Sequence, residues 1–281
     1  MVKIIADSAC DLSKELIEKY DISLIPLKIH LGDAEYEDGV NITPDEIYQW
    51  SEEHNTTPKT SVASITEVMN LFEQYADDEI ICFSISEEMS SSANVMRLAA
   101  EEMEREEHIH IIDSRNLSTG IGLLIIEAAV MAQKGEKAEV IVAKIKELIP
   151  EVRASFVVDT LTYLHRGGRC SSIAAFSGGM LHLHPRIAVS DGKMHPGKKY
   201  RGKMEAVVMS YVKDMEKELR SAKPERVFLT HSGCSRDIVD GVREYLQNLG
   251  VFGEILETRA GGVVSSHCGP GTLGVLFIAG E

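Results

Sequence analysis

Small hydroxyl and acidic side chains recur just after short apolar runs in the first half of the chain. Asp7-Ser8 follows VKIIA, Ser84 and Ser86 follow EIICF, and Asp113-Ser114 follows HIHII. Thr60-Ser61 precedes a capped helix, and Ser90-Ser91-Ser92 precedes a long one. In open parallel sheets ligands bind outside the carboxyl ends of the strands, so hydroxyls gathered there suit a small anionic or hydroxylated group. Hydroxyls at a helix N-terminus, beside its unpaired N–H groups, suit a carboxylate or phosphate. Each residue taken singly also reads as an ordinary cap of the helix that follows. The joint pattern makes Thr60, Ser61 and Ser90 candidate contacts, with Ser8, Ser92 and Ser114 as additional ones.

The second half supplies cations and an imidazole. Arg166-Gly167-Gly168-Arg169 places two guanidinium groups on a flexible backbone, suited to a carboxylate or phosphate and otherwise a solvated turn. His267 lies in Ser265-Ser266-His267-Cys268-Gly269-Pro270-Gly271, which reads as a constrained glycine turn, with Gly271 beside the candidate polar site. Gly269-x-Gly271-x-x-Gly274 matches a dinucleotide fingerprint literally, yet it opens no strand-turn-helix unit, so no nucleotide cofactor is expected. His182, His184 and His195 lack the spacing and carboxylate partners of a metal site, and no metal is expected. No nucleophile elbow, Walker loop or zinc-protease helix is present, so no catalytic residue is assigned.

These groups need a framework to hold them. Val2–Asp7, Ser23–Ile29, Glu79–Ser84 and His108–Asp113 read as strands. They alternate with helical patterns near 12–20, 68–75, 93–107, 121–134 and 138–149, and with a helix start at 43–46. Thr43-Pro44-Asp45-Glu46 and Ser64 with Glu67 are capping-box starts. Such alternation predicts a parallel sheet with helices on both faces, a three-layer Rossmann-like α/β/α unit. Asp38-Gly39 marks a small hairpin excursion near 30–42. Pro150 is a natural seam, giving an α/β unit over residues 1–152 and a second unit, α+β with its own sheet, over 153–281. In the second unit Ala154–Asp159, Arg226–His231, Gly253–Glu257 and Gly274–Ala279 read as strands, and 203–219 and 237–249 as helices. The stretch from Arg166 to Gly197 is rich in Gly, Ser and His, without assigned elements.

Composition narrows the partners. The 281 residues carry 29 Lys plus Arg against 44 Asp plus Glu, a formal charge of −15. A surface this acidic repels phosphodiesters, which argues against nucleic acid. No apolar run approaches the ~18 residues needed to span a bilayer, so stable membrane insertion is not expected. The N-terminus enters a strand pattern directly. Five scattered cysteines with no C-x-x-C favour a reducing compartment, the cytoplasm.

The chain resembles the DegV family of bacterial fatty-acid-binding proteins over nearly its whole length. The carrying segments are Asp7-Ser8-x-x-Asp11-Leu12, Thr60-Ser61-x-x-Ser64, Ser86-x-x-Met89-Ser90-x-Ser92, and Asp113-Ser114 with Ser118, Gly120 and Gly122. They continue with Tyr163 through Arg169, Gly192 through Lys199 to Arg201, and His267-x-Gly269-Pro270-Gly271. The resemblance implies two α/β domains holding one long-chain fatty acid. Its carboxylate would meet Thr60, Ser61 and Ser90, with His267 close by and Arg169 near the head group. It also implies a separate ATP-dependent fatty acid kinase as partner, which makes an acyl phosphate, with Arg201 on the partner-facing side. Ser91 and Ala93 depart from the family's usual glycine and aromatic residue, and Val62-Ala63 replaces a frequent Gln-Pro, which bears on loop shape.

A fatty acid makes two opposite demands. Each buried CH₂ contributes ~0.8 kcal/mol, so an enclosed apolar tunnel is expected. Phe176, Met180, Leu181, Leu183, Phe277 and Ile278 are candidate lining, though each taken singly reads more readily as ordinary core packing. The buried carboxylate needs donors, and protonated His267 would add a charge-assisted bond to the hydroxyls. The competing reading is an enzyme acting on a small acylated or phosphorylated substrate in the same cleft.

Overall fold

The structure is a computed structural model, and it describes residues 1–170 and 183–280. Its first sheet has four parallel strands in the order Ile22–Ile25, Val2–Asp7, Glu79–Ser84, Ile109–Asp113. Both faces of this sheet are apolar, as strands covered on two sides must be. Ile5, Ile80 and Cys82 point to one face, against Val68, Phe72 and Met96 of the helices Ile65–Glu73 and Ser92–Glu102. Ile4, Ala6, Ile81 and Phe83 point to the other, against the helices Thr119–Gln133 and Ala138–Leu148.

A three-stranded antiparallel sheet stands beside this unit, with Lys28–Leu31 between Ala34–Glu37 and Lys59–Ser61. The hairpin therefore turns at Gly32-Asp33, where Gly32 has φ 63°, and not at Asp38-Gly39. Asp38 is instead buried, and its carboxylate accepts a bond from Ser8. Thr60 and Ser61, which precede the helix Ile65–Glu73, form part of a strand, because Ile29 and Lys28 supply a ladder for them.

The second sheet has six strands in the order Lys193–Arg201, Leu183–Ser190, Val152–Val157, Leu273–Ala279, Ala222–His231, Glu254–Arg259. Only the last pair is parallel. One of these strands, Leu183–Ser190, and the first half of another, Lys193–Arg201, fall in the stretch left unassigned by sequence. They form a hairpin around Asp191-Gly192, both at positive φ, the backbone that matches the twist of the flanking strands. Val157, Val227, Val275 and Phe277 face the helices Met204–Asp214 and Arg236–Leu249. The alternate residues Ala154, Phe156, Phe228, Leu276 and Ile278 face the opposite way.

That opposite face meets the helix Thr119–Gln133, which thus lies between the two sheets. From Thr119 to Ala129 every residue except Glu127 is buried, so the helix has no polar face to give to water. Its close fit relies on Gly122, where a Cβ would stand 2.8 Å from Leu12 Cδ2. Glu127 is answered by Arg226 from the second sheet. The last new element is a short helix, Gly262–Cys268, where the sequence reads as a glycine turn. Gly269 and Gly271, at φ 76° and 74°, end it and turn the chain into the final strand. No helix among the described residues is long and apolar enough to cross a membrane.

Leu124 is fully buried in the helix between the sheets. Leu124→Ala is expected to cost about 2–5 kcal/mol through lost burial and a residual cavity. Urea unfolding followed by circular dichroism measures this, and a loss below about 1 kcal/mol would show that the two sheets do not share this core.

Candidate functional site

A cavity of about 270 Å³ opens where the parallel strands end and the second half of the chain folds over them. Thr60, Ser61, Ser90, Arg169 and His267, separated by up to 207 residues, all line it. Thr60 and Ser61 come from the short strand Lys59–Ser61, and Ser90 from the loop ahead of the helix Ser92–Glu102. Arg169 follows the helix Thr162–Gly167, and His267 projects from the helix Gly262–Cys268. Apart from Ser91, the rest of the described wall is apolar and includes Leu27, Ile85, Met89, Leu117, Met194 and Val263. A smaller void of about 30 Å³ shares Leu117, Val264 and Cys268 with it and extends toward Phe156 and Leu276 of the second sheet. Polar groups thus converge on one greasy chamber, the composition of a small-molecule site.

His267 Nε2 lies 2.8 Å from Thr60 Oγ1. Its Nδ1 is buried without a hydrogen-bond partner among the described residues. Gly167 packs against that edge of the ring, and a Cβ there would stand 2.4 Å from Nδ1. A buried orphan N–H is rarer than a bare acceptor, so we assign the proton to Nε2, which donates to Thr60. The Thr60 hydroxyl proton is then free to point into the cavity. Burial first, and then the nearby Arg169 cation, depress the His267 pKa to about 4. The imidazole is therefore neutral at physiological pH in this state, which corrects the expectation of a protonated ring. Arg169 itself is exposed, and its Nη1 donates to the Gly167 carbonyl at 2.9 Å. Ser61 Oγ lies 2.8 Å from His30 Nε2, and Ser90 Oγ accepts the Ser92 N–H at 3.3 Å.

The additional polar candidates do not reach the cavity wall. Ser8 Oγ donates to Asp38 at 2.8 Å and accepts the Leu27 N–H at 3.1 Å. Ser92 Oγ donates to Asp7 at 2.8 Å, and Ser114 Oγ to the Asn116 carbonyl at 3.3 Å. Their hydroxyls are consumed in tying strand ends to neighbouring loops. Gly271 gives its N–H to the Ser232 carbonyl and serves the turn after the helix. Among the apolar candidates, Phe277 sits on the wrong face of the second sheet, under its outer helices, because strand side chains alternate. Ile278 belongs to the shared core beside Val152, and half-buried Leu183 opens the hairpin strand; neither lines the cavity. Phe176, Met180, Leu181 and His182 lie outside the described residues. Arg201 is exposed at the end of the strand Lys193–Arg201. His184 bonds the Val158 carbonyl, and among the described residues no three His, Cys, Asp or Glu side chains are grouped to hold a metal.

Sequence reasoning missed most of the apolar wall. Met89 sits one residue before Ser90 and could have been read with it, whereas Leu117 and Met194 are brought in only by the fold.

The depressed His267 pKa makes a prediction about stability. Between pH 6.5 and about 4 the unfolded chain binds a proton that the folded chain does not, so folding weakens as pH falls through this window. The loss amounts to up to about 3 kcal/mol and then levels off. His267→Gln removes it, so urea stabilities of parent and variant should diverge progressively from pH 6.5 to 4. Parallel curves would mean that the ring titrates normally.

Comparison with known proteins agrees with this architecture. Residues 1–280 match the family described as "Uncharacterised protein, DegV family". A DegV domain-containing protein of Clostridium perfringens is 32% identical over 279 residues, covering 99% of this chain and 98% of that protein. A DegV family protein from Thermus thermophilus, reported for its fatty acid binding, superposes with a TM-score of 0.91 at 27% identity, over 99% of each chain. A stearic acid-binding protein from Eubacterium ventriosum gives 0.86 at 29% identity, over 99% of this chain and 98% of that one. With its two sheets, its cavity and a family match that runs from the first residue to the penultimate one, this chain belongs to the DegV family.

Proposed function

We propose that this protein binds one long-chain fatty acid, tail in the apolar chamber and carboxylate at Thr60, Ser61, Ser90 and His267, with Arg169 at the rim. One observation carries the reading: polar groups from four separate segments meet at a single cavity whose remaining described wall is almost entirely hydrocarbon and thioether. A tail of ordinary length contributes roughly 10 kcal/mol of gross burial, from which association entropy subtracts a substantial part. The carboxylate would be costly to bury unpaired. The Thr60 hydroxyl, freed by the His267 tautomer, and the Ser90 hydroxyl are donors placed for it. An anion beside His267 favours the imidazolium and opposes the depression of the ring's pKa, so binding at acid pH is accompanied by proton uptake.

In this reading the protein is a cytoplasmic carrier with no catalysis of its own. It presents the head group to an ATP-dependent fatty acid kinase that forms the acyl phosphate. Hydroxyls, one of them oriented by a neutral imidazole, hold the carboxylate less tightly than a bidentate arginine clamp, which leaves an oxygen available to a phosphoryl donor. Exposed Arg201 is the contact assigned to the kinase.

Native mass spectrometry of the protein purified from a bacterial host is expected to show a lipid-sized adduct that organic extraction removes. Ser90→Ala should weaken palmitate binding about tenfold or more, the worth of one hydrogen bond to a charged group, and His267→Ala should weaken it through loss of the bond that orients the Thr60 hydroxyl. A clean apo mass, with palmitate affinity unmoved in both variants, would overturn the assignment.

A further inference from the structure

We propose that Asp11 and Asp38 are positioning residues for the head-group site: from the first half of the chain they fasten the helix Gly262–Cys268 and so fix His267 within reach of Thr60. The inference rests on the fatty-acid reading of that site, and neither residue lines the cavity. The helix has seven residues, too few to be stable alone, and its first N–H groups have no partner within it. Asp11 Oδ1 accepts the Gly261 N–H at 2.8 Å, and Asp38 Oδ1 accepts the Gly262 N–H at 2.7 Å. The second oxygen of each carboxylate is also held, Asp11 by the Ser118 hydroxyl and Asp38 by the Ser8 hydroxyl. Both aspartates are buried, at 5% and 3% exposure.

The two glycines are required by the closeness of this docking. A Cβ on Gly261 would stand 3.1 Å from Asp11 Oδ1. One on Gly262 would stand 2.6 Å from Ile29 Cδ1 and 2.9 Å from Ile47 Cδ1. From this anchored end to His267 the helix rises only about 8 Å, so a displacement at its start carries to the imidazole. The same helix brings Val263, Val264 and Cys268 to the cavity wall. Burial first, and then the nearby Asp38 and Asp7 carboxylates, raise the pKa of Asp11 to about 8, and burial raises that of Asp38 above its ordinary value. Apposed buried carboxylates destabilise a fold, and their retention here is accounted for by what they hold in place.

The test compares Asp38→Ala with Asp38→Asn, since asparagine keeps an acceptor for the Gly262 N–H. Two quantities are read on protein shown to be folded by circular dichroism: palmitate affinity, and the pH titration of the His267 ring by NMR of histidine-labelled protein. The ring is faced by the Arg169 cation, which both variants leave untouched. Asp38→Ala is expected to weaken palmitate binding at least tenfold and to move the His267 midpoint upward from about 4. Asp38→Asn should restore both to near the parent values. A lowered melting temperature with unchanged titration and affinity would overturn the proposal, because it would mean a structural role alone. If Asp38→Ala does not fold, Gly261→Ala displaces the helix start while leaving both carboxylates intact. It should move both readouts in the same direction, and no movement in either would overturn the proposal. A parent protein that takes up no palmitate would sink the fatty-acid reading, while the His267 titration would still decide the positioning role.

Discussion

The architecture depends on one helix that is apolar on nearly every side. Thr119–Gln133 offers water almost nothing, so a single sheet cannot satisfy it. Packing one side on the parallel sheet and the other on the mixed sheet resolves this, and it fuses the two halves of the chain through a common core. Polar pairs at the edges of that contact fix its register. Thr119 and Thr230 share a hydrogen bond at 2.6 Å, Glu127 meets Arg226, and Arg259 meets Asp45 across the same seam.

The cavity is a consequence of this arrangement. Strands of the parallel sheet end at the seam, and Leu117, just before the helix, borders both voids found there. A ligand in this place is surrounded by both halves, so neither half alone can supply its polar contacts. Thr60 and Ser90 come from one, His267 and Arg169 from the other. The imidazole is held neutral by burial and by a neighbouring cation, a state that hands its one proton to Thr60 and leaves the threonine hydroxyl proton free to point into the cavity.

The buried carboxylates at the strand ends belong to the same logic. Asp7 accepts the Ile85 N–H and the Ser92 hydroxyl, ordering the loop that carries Ser90. Asp11 and Asp38 reach across to the helix that carries His267. Burial raises all three pKa values, Asp7 to about 6. Each spends hydrogen-bonding capacity on backbone N–H groups that would otherwise be orphaned. The serines that a sequence reader assigns to ligand binding, Ser8 and Ser92, are instead the partners of these carboxylates.

Much of this was legible in the sequence. Apolar runs bounded by polar residues defined the parallel strands, and capping boxes placed two helix starts within a residue, whereas the grouping of Thr60, Ser61 and Ser90 with His267 and Arg169 came from the family resemblance rather than from local chemistry. Local chemistry sufficed because strand runs and caps are set by near neighbours. The hairpin at Asp191-Gly192 and the helix bearing His267 were not legible. Polar and glycine-rich residues fill both segments, and only contacts with distant strands and carboxylates select their conformation. Nor did the sequence separate serines that face the cavity from those that face a buried aspartate, or Phe277 from the wall it was assigned to. A one-residue change of parity sends a strand side chain to the opposite face, and which face meets the ligand is decided by how the second sheet closes over the central helix.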